Sequence, residues 1–164
     1  MANNTGLTGN KTIKNKKRVG GRGTHYRANQ SGMGTLTFEN CTLNGYSFKG
    51  RAREIILREC VILKGALVFV DADYIAMESC SVDEGAILNS SIKTLALMGT
   101  TLRHEEGSLD GVVIKQMEIT DTNKNKLYTN STIDRIIIED MDTDALLGWW
   151  FSDNSDNCVP RLRL

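Results

Sequence analysis

Apolar side chains recur every five residues along the middle of the chain. Leu57, Ile62, Leu67, Ala72, Met77, Val82, Ile87, Ile92, Leu97 and Leu102 hold one phase without a break. A second series runs two positions earlier, through Ile55, Cys60, Gly65, Val70, Ile75, Cys80, Gly85, Ser90, Leu95 and Thr100, and its members are often small. A helix repeats at about 3.6 residues and an amphipathic strand at about 2, so neither produces this spacing. A chain that turns a corner every five residues does. A longer repeat lies on top of it: REIILRECVILKGAL begins at Arg53, DYIAMESCSVDEGAI at Asp73 and KTLALMGTTLRHEEG at Lys93. Four short sides bring the chain back to its start after twenty residues, and successive turns then stack at the strand spacing of about 4.8 Å.

The pattern predicts inward columns, with Leu57, Met77 and Leu97 in one and Ile62, Val82 and Leu102 in the next. Leu36, Phe38, Cys41, Leu43 and Phe48 fit the same register at an offset of 19, and Met117–Ile119 and Ile136–Ile138 continue it after a two-residue insertion. The expected fold is all-β: a right-handed parallel β-helix of about six rungs with a 19–22 residue period, preceded by an extended basic arm. Right-handedness follows from the chirality of L-residues and of parallel crossovers. Gly45, Gly65 and Gly85 are expected near corners, where positive φ or close packing favours glycine. The single proline agrees, because proline interrupts a backbone ladder.

The five-residue register resembles that of the pentapeptide-repeat family over about Gly34 to Thr101. That resemblance implies a right-handed quadrilateral β-helix. The family places a small residue before its central Leu or Phe, whereas here Ile55, Ile75 and Leu95 stand at that position on one side. This side is therefore expected to be wider and more strand-like.

Charge divides the chain. The formal net charge is zero, yet residues 1–38 hold seven cations (Lys11, Lys14, Lys16, Lys17, Arg18, Arg22, Arg27) and no acid, which leaves −7 on the rest. Residues 1–33 read as a Gly/Asn-rich arm that lacks the apolar content to fold alone. Residues 34–147 read as the β-solenoid. Residues 148–164, with Trp149, Trp150 and Phe151, read as a C-terminal cap or an aromatic contact for a partner.

Candidate chemistry is sparse. Cys41, Cys60 and Cys80 recur at 19 and 20 residues and read as one inward position on successive rungs, filled by a small apolar side chain. No C-x-x-C spacing, phosphate loop or nucleophile elbow is present. Of the two histidines, His25 lies in the arm and His104 beside Glu105 and Glu106. Asp71, Asp73, Asp83 and Glu84 read as turn-forming and solvated acids rather than as a lyase groove. No catalytic residue, metal or cofactor is expected.

The expected class is a non-enzymatic structural or interaction protein, a component of a larger assembly such as a viral or phage particle cement, decoration or minor tail protein. The seven cations of the arm would anchor it, with neighbouring subunits or further copies of the chain as partners and nucleic acid as another possible contact. The family resemblance implies an alternative, because some pentapeptide-repeat proteins are similar to B-DNA in shape and charge and bind type II topoisomerases. A secreted bacterial effector with residues 1–33 as export signal is a third reading. The N-terminus lacks an apolar secretory segment and no apolar run reaches about 18 residues, so a virion or cytoplasmic setting without membrane contact is expected.

Overall fold

The computed structural model describes residues 3–103, 106–122, 128–139 and 161–163. Every regular element among them is a strand: β1 (Asn3–Lys14), β2 (Thr24–Glu39), β3 (Thr42–Leu43), β4 (Phe48–Arg58), β5 (Val61–Ile62), β6 (Leu67–Glu78), β7 (Ser81–Val82), β8 (Ile87–Leu88), β9 (Ser91–Met98), β10 (Thr101–Leu102), β11 (Leu109–Asp110), β12 (Val113–Thr120), β13 (Tyr128–Thr129), β14 (Thr132–Glu139) and β15 (Arg161–Arg163). All pairings are parallel, and strands stack on the equivalent strand of the next turn. The chain is a β-solenoid of about six turns. No helix among the described residues is long and apolar enough to cross a membrane.

The sides are unequal. The long side stacks β1, β2, β4, β6, β9, β12, β14 and β15. A second side stacks β3, β5, β7 and β10, each of two residues. The third stacks β8, β11 and β13 with the first residues of the longer strands β2, β4 and β6. Large apolar residues at two inward positions keep the long side extended. Leu36, Ile55, Ile75, Leu95, Met117 and Ile136 form one buried column there. Ile13, Phe38, Leu57, Met77, Leu97, Ile119 and Ile138 form the neighbouring one. Burying one such side chain contributes about 1.5–3 kcal/mol, and each column repeats that gain turn after turn. The offsets from Phe38 onward are 19, 20, 20, 22 and 19 residues, which places the two-residue insertion between Leu97 and Ile119.

Corners use left-handed backbone. Asn15, Asn40, Glu59, Ser79, Gly99 and Asp121 each follow a long strand, and all have φ between 47° and 56°. Asn and Asp tolerate this region because their short polar side chains bond locally. The residue after the corner closes it. Cys41, Cys60 and Cys80 donate their Sγ–H to Ile13, Phe38 and Leu57 carbonyl oxygens of the preceding turn, at 3.5, 3.4 and 3.3 Å. Thr100 continues the column and donates Oγ1 to Met77 O at 2.9 Å. The cysteines are thus buried, as the spacing predicts, and each satisfies a carbonyl at a bend where the ladder is interrupted. At another corner Ser90 and Ser131 act in the opposite sense. Their Oγ atoms accept from the Val70 and Val112 amides, both at 3.0 Å.

One of the three glycine corners is built differently. Gly65 and Gly85 do have positive φ, but Gly45 does not, and its expected place is taken by Tyr46 at φ 60°. The offset between these turns is 19 residues rather than 20, so Phe48 pairs with Leu67 and the Tyr46 amide donates to Gly65 O.

The stretch expected as an arm contributes β1, the following corner and the beginning of β2. Leu7, Ile13 and Val19 are buried in the common core, and Val19 bridges to Leu43 on the short side. Three apolar residues at the inward positions hold this basic stretch onto the solenoid. No break falls at residue 33, which lies inside β2. The offset from Ile13 to Phe38 is longer, at 25 residues, with an irregularity between Arg27 and Met33. The aromatic segment Trp149–Phe151, together with His104 and Cys158, lies outside the described residues.

Candidate functional site

The basic end carries the seven cations that the sequence singles out. Lys11, Lys14, Lys16, Lys17, Arg18, Arg22 and Arg27 are all exposed. β1 carries Lys11 and Lys14, the corner after it carries Lys16, Lys17 and Arg18, and the Gly20–Gly23 loop carries Arg22. Arg27 lies on the third side, in register with Gly6 before it and Lys49 after it. Gly6 has no side chain, and a Cβ built there meets nothing within 4 Å, so Arg27 is uncovered on that side. Lys49, Arg51 and Arg53 are exposed one turn further on, and the seven-residue set drawn from the sequence missed them. Their signal was present but diluted: residues 1–53 contain ten Lys and Arg against one acid, Glu39.

Ion pairing separates this end from the middle. Each of the four cations from Arg58 to Arg103 has a carboxylate partner: Arg58 with Glu78 at 2.8 Å and Glu39 at 3.7 Å, Lys64 with Glu84 at 3.9 Å, Lys93 with Asp73 at 3.0 Å, and Arg103 with Asp83 at 3.4 Å. Among the ten cations of residues 1–53, only Lys14 has one among the described residues, Glu39 at 3.1 Å. Lys14, Glu39, Arg58 and Glu78 share one outward column, so their signs alternate along the stack. Arg51 and Arg53 have Asp71 beside one and, a residue pair further, Asp73 on the next turn, so the positive surface fades toward the middle.

Tyr46 is the other unusual feature of this end. Its ring is 59% exposed, and its backbone is left-handed in a column where the next two turns use Gly65 and Gly85. A bulky residue in that region costs about 1–2 kcal/mol. The Gly20–Gly23 loop lies directly on the turn that carries it: a Cβ on Gly20 would stand 2.5 Å from Gly45 O and 2.8 Å from Ser47 N. Ser47 Oγ donates to Val19 O at 2.7 Å and fixes the contact. The loop's shape is held further by His25, whose Nε2 donates to Gly21 O at 2.9 Å. Phe69 is a second exposed ring, at 57%, with φ 52° on the next turn.

A hollow of about 260 Å³ lies elsewhere, on the outward face of the long side, bordered by Ala96, Met98, Glu118, Thr120, Ile137 and Glu139. Nearby, burial and then the carboxylates Glu118, Glu78 and Glu54 push the Tyr74 hydroxyl pKa up. The acids considered for a groove are engaged in surface pairing: Asp73, Asp83 and Glu84 each meet a cation. The chain matches no family model, no curated protein and no solved structure.

Proposed function

We propose that the protein is a non-enzymatic interaction module, a component of a larger assembly joined through its basic end, such as a particle cement or decoration protein. One observation carries this reading. β1 has β2 as its one strand neighbour among the described residues, and β1 and the corner after it carry exposed cations of which only Lys14 has a carboxylate partner among the described residues. A free edge offers backbone donors and acceptors in register for another chain. The like charges oppose pairing of two basic ends and favour a neighbour with an acidic surface. The three described thiols, Cys41, Cys60 and Cys80, are buried in the corner ladder.

The test is light scattering on the full chain across a concentration series at about 50 mM and 500 mM salt. A variant carrying Lys16→Glu, Lys17→Glu and Arg18→Glu runs beside it. Association that weakens with salt and with charge reversal is expected, because exposed charges are screened beyond about 10 Å at 0.1 M. A monomer under every condition, with no difference between parent and variant, rules the self-assembling form of this reading out.

A further inference from the structure

We propose that the basic end binds single-stranded nucleic acid, with Tyr46 and Phe69 stacking on bases and Arg22, Arg27 and Lys49 holding phosphates. This goes beyond the assembly reading and does not need it, since a monomer can bind a strand.

Three observations converge. The cations are available: Arg22, Arg27 and Lys49 are exposed and have no carboxylate partner among the described residues, whereas the four from Arg58 to Arg103 are all neutralised by acids. They stand on the elements next to an exposed ring. Arg27 and Lys49 are register partners on adjacent turns, and the Gly20–Gly23 loop with Arg22 rests on the backbone that carries Tyr46. The ring also sits where a glycine would be easier. Tyr46 and Phe69 are both left-handed and more than half exposed, so neither ring gains burial for its backbone strain. Strain held at an exposed aromatic is a mark of a contact site.

The arrangement separates candidate polyanions. A duplex presents phosphates outward and hides its base faces, so it has no use for the rings. A single strand offers both, and proteins that bind it combine a positive track with aromatic platforms. Tyr46 stands at the corner that leads into β4, and Lys49 is the second residue of that strand, so a base contact and a phosphate contact can follow one another there. Phe69 lies on the following turn, past Lys49. Beyond Arg53 the balance of charge reverses: residues 54–103 hold seven acids against four cations, and each of those cations is already paired with an acid. That reversal repels phosphate and confines the strand to the basic end.

The test is fluorescence anisotropy on the full chain with a labelled dT20 strand, the matching duplex and poly-L-glutamate as competitor, from about 30 to 300 mM salt. Binding of dT20 is expected, with log K falling against log salt at a slope of roughly −0.7 for each phosphate contacted. Tyr46→Ala is expected to weaken dT20 about fivefold or more, the lower bound for losing one stacked base, and to leave duplex affinity alone. The Arg27→Glu, Lys49→Glu pair is expected to weaken dT20 at least tenfold. Circular dichroism and thermal melts check that each variant keeps the fold. No dT20 binding at 50 µM protein and 30 mM salt overturns the proposal. So does binding that is indifferent to Tyr46→Ala and Phe69→Ala, or that poly-L-glutamate displaces as well as unlabelled dT20. The last result assigns the end to an acidic protein surface instead.

Discussion

The first turns and the middle turns are built on one backbone plan and treat charge in opposite ways. Between Leu57 and Leu102 the five-residue register is regular, the inward columns are closed on both sides and each cation is matched by an acid. Between Asn3 and Arg53 the register stretches to a 25-residue turn, and the cations stand unmatched apart from Lys14. The middle is optimised to stack on itself. The basic end departs from that pattern at several positions together: Gly6, the Gly20–Gly23 loop, Tyr46 and the free edge of β1. A region that keeps the fold while giving up pairing and regular corners is where contacts with another molecule are expected.

The widest gap between the two regions lies in core substitutions. Ile75 is fully buried with a stacked neighbour on either side, Ile55 and Leu95. Ile75→Asp places an unpaired charge in that column and is expected to destabilise the fold by more than about 4 kcal/mol, which abolishes the native circular dichroism spectrum. Ile13 occupies the last described level of its column, with Phe38 on one side. Ile13→Asp is expected to leave the middle turns folded, because a carboxylate at the end of the rod reaches water. If the paired alanine variants are compared by urea denaturation, Ile75→Ala should fall within the usual range of about 2–5 kcal/mol, and Ile13→Ala at or below its lower limit. Equal losses would show that the first turn is as closed as the middle.

How much of this was legible depended on whether the residues obeyed the repeat. The solenoid and its inward columns were readable because Leu57, Met77 and Leu97, or Ile62, Val82 and Leu102, share one phase at a constant offset. The corner thiols were readable for the same reason. Residues 1–33 were not, because three buried apolar residues, Leu7, Ile13 and Val19, are spaced by the geometry of an irregular turn and are outnumbered by cations and glycines. Tyr46 was missed because reading the glycines at a constant twenty residues assigns the corner to Gly45, whereas a 19-residue turn puts the tyrosine there. Its role follows from its partner on the next turn, and a single sequence does not state that partner.

Glycine substitutions sharpen the contrast at smaller scale. Gly20 and Gly85 both have positive φ, at 76° and 56°. A Cβ on Gly20 meets backbone atoms at 2.5 and 2.8 Å, whereas on Gly85 the nearest atom is the tip of Leu88 at 3.5 Å. Gly85→Ala is expected to cost about 1–2 kcal/mol, the strain of left-handed backbone alone. Gly20→Ala should cost more and should also loosen the Gly20–Gly23 loop. Hydrogen exchange at the Gly21 and Tyr26 amides, which bond Gly45 and Ser47 carbonyls at 2.8 and 2.9 Å, reports that local opening.

Alkaline pH is expected to act on the middle through its thiols. The hydrogen bond with Cys80 and then burial push Cys60 far above the ordinary thiol value of 9.0, while the same hydrogen bond lowers Cys80, so within this pair Cys60 is the thiol that keeps its proton. A raised folded-state pKa means that the stability is intact below about pH 9 and is lost as pH rises, because the unfolded chain releases a proton that the fold retains. The slope for one thiol is at most about 1.4 kcal/mol per pH unit. Burial raises Tyr26 and Tyr74 from 10.0 in the same sense, so they add to the loss at still higher pH. Melting temperatures from pH 7.5 to 10.5 should fall above pH 9, and Cys60→Ala should fall less steeply. Parallel curves for the two would remove the thiol from the account.

The smallest expected effect tests the charge ladder that joins the two regions. Arg58 is fully exposed, and its guanidinium is held in the charged form by Glu78 first and Glu39 second. It is the one cation in its column with an acid on both sides, since Lys14 meets Glu39 only. Exposed pairs contribute little and salt weakens them. Arg58→Ala is therefore expected to lower the melting temperature slightly in low salt, and the difference should vanish near 1 M salt. The informative comparison is Lys16→Ala on the basic end, which removes a cation with no partner among the described residues and relieves repulsion from Lys14, Lys17 and Arg18. Its melting temperature should stay level or rise in low salt. A drop matching that of Arg58→Ala would mean that Lys16 has a carboxylate partner after all, and the contrast on which the basic end rests would narrow to Arg22, Arg27 and Lys49.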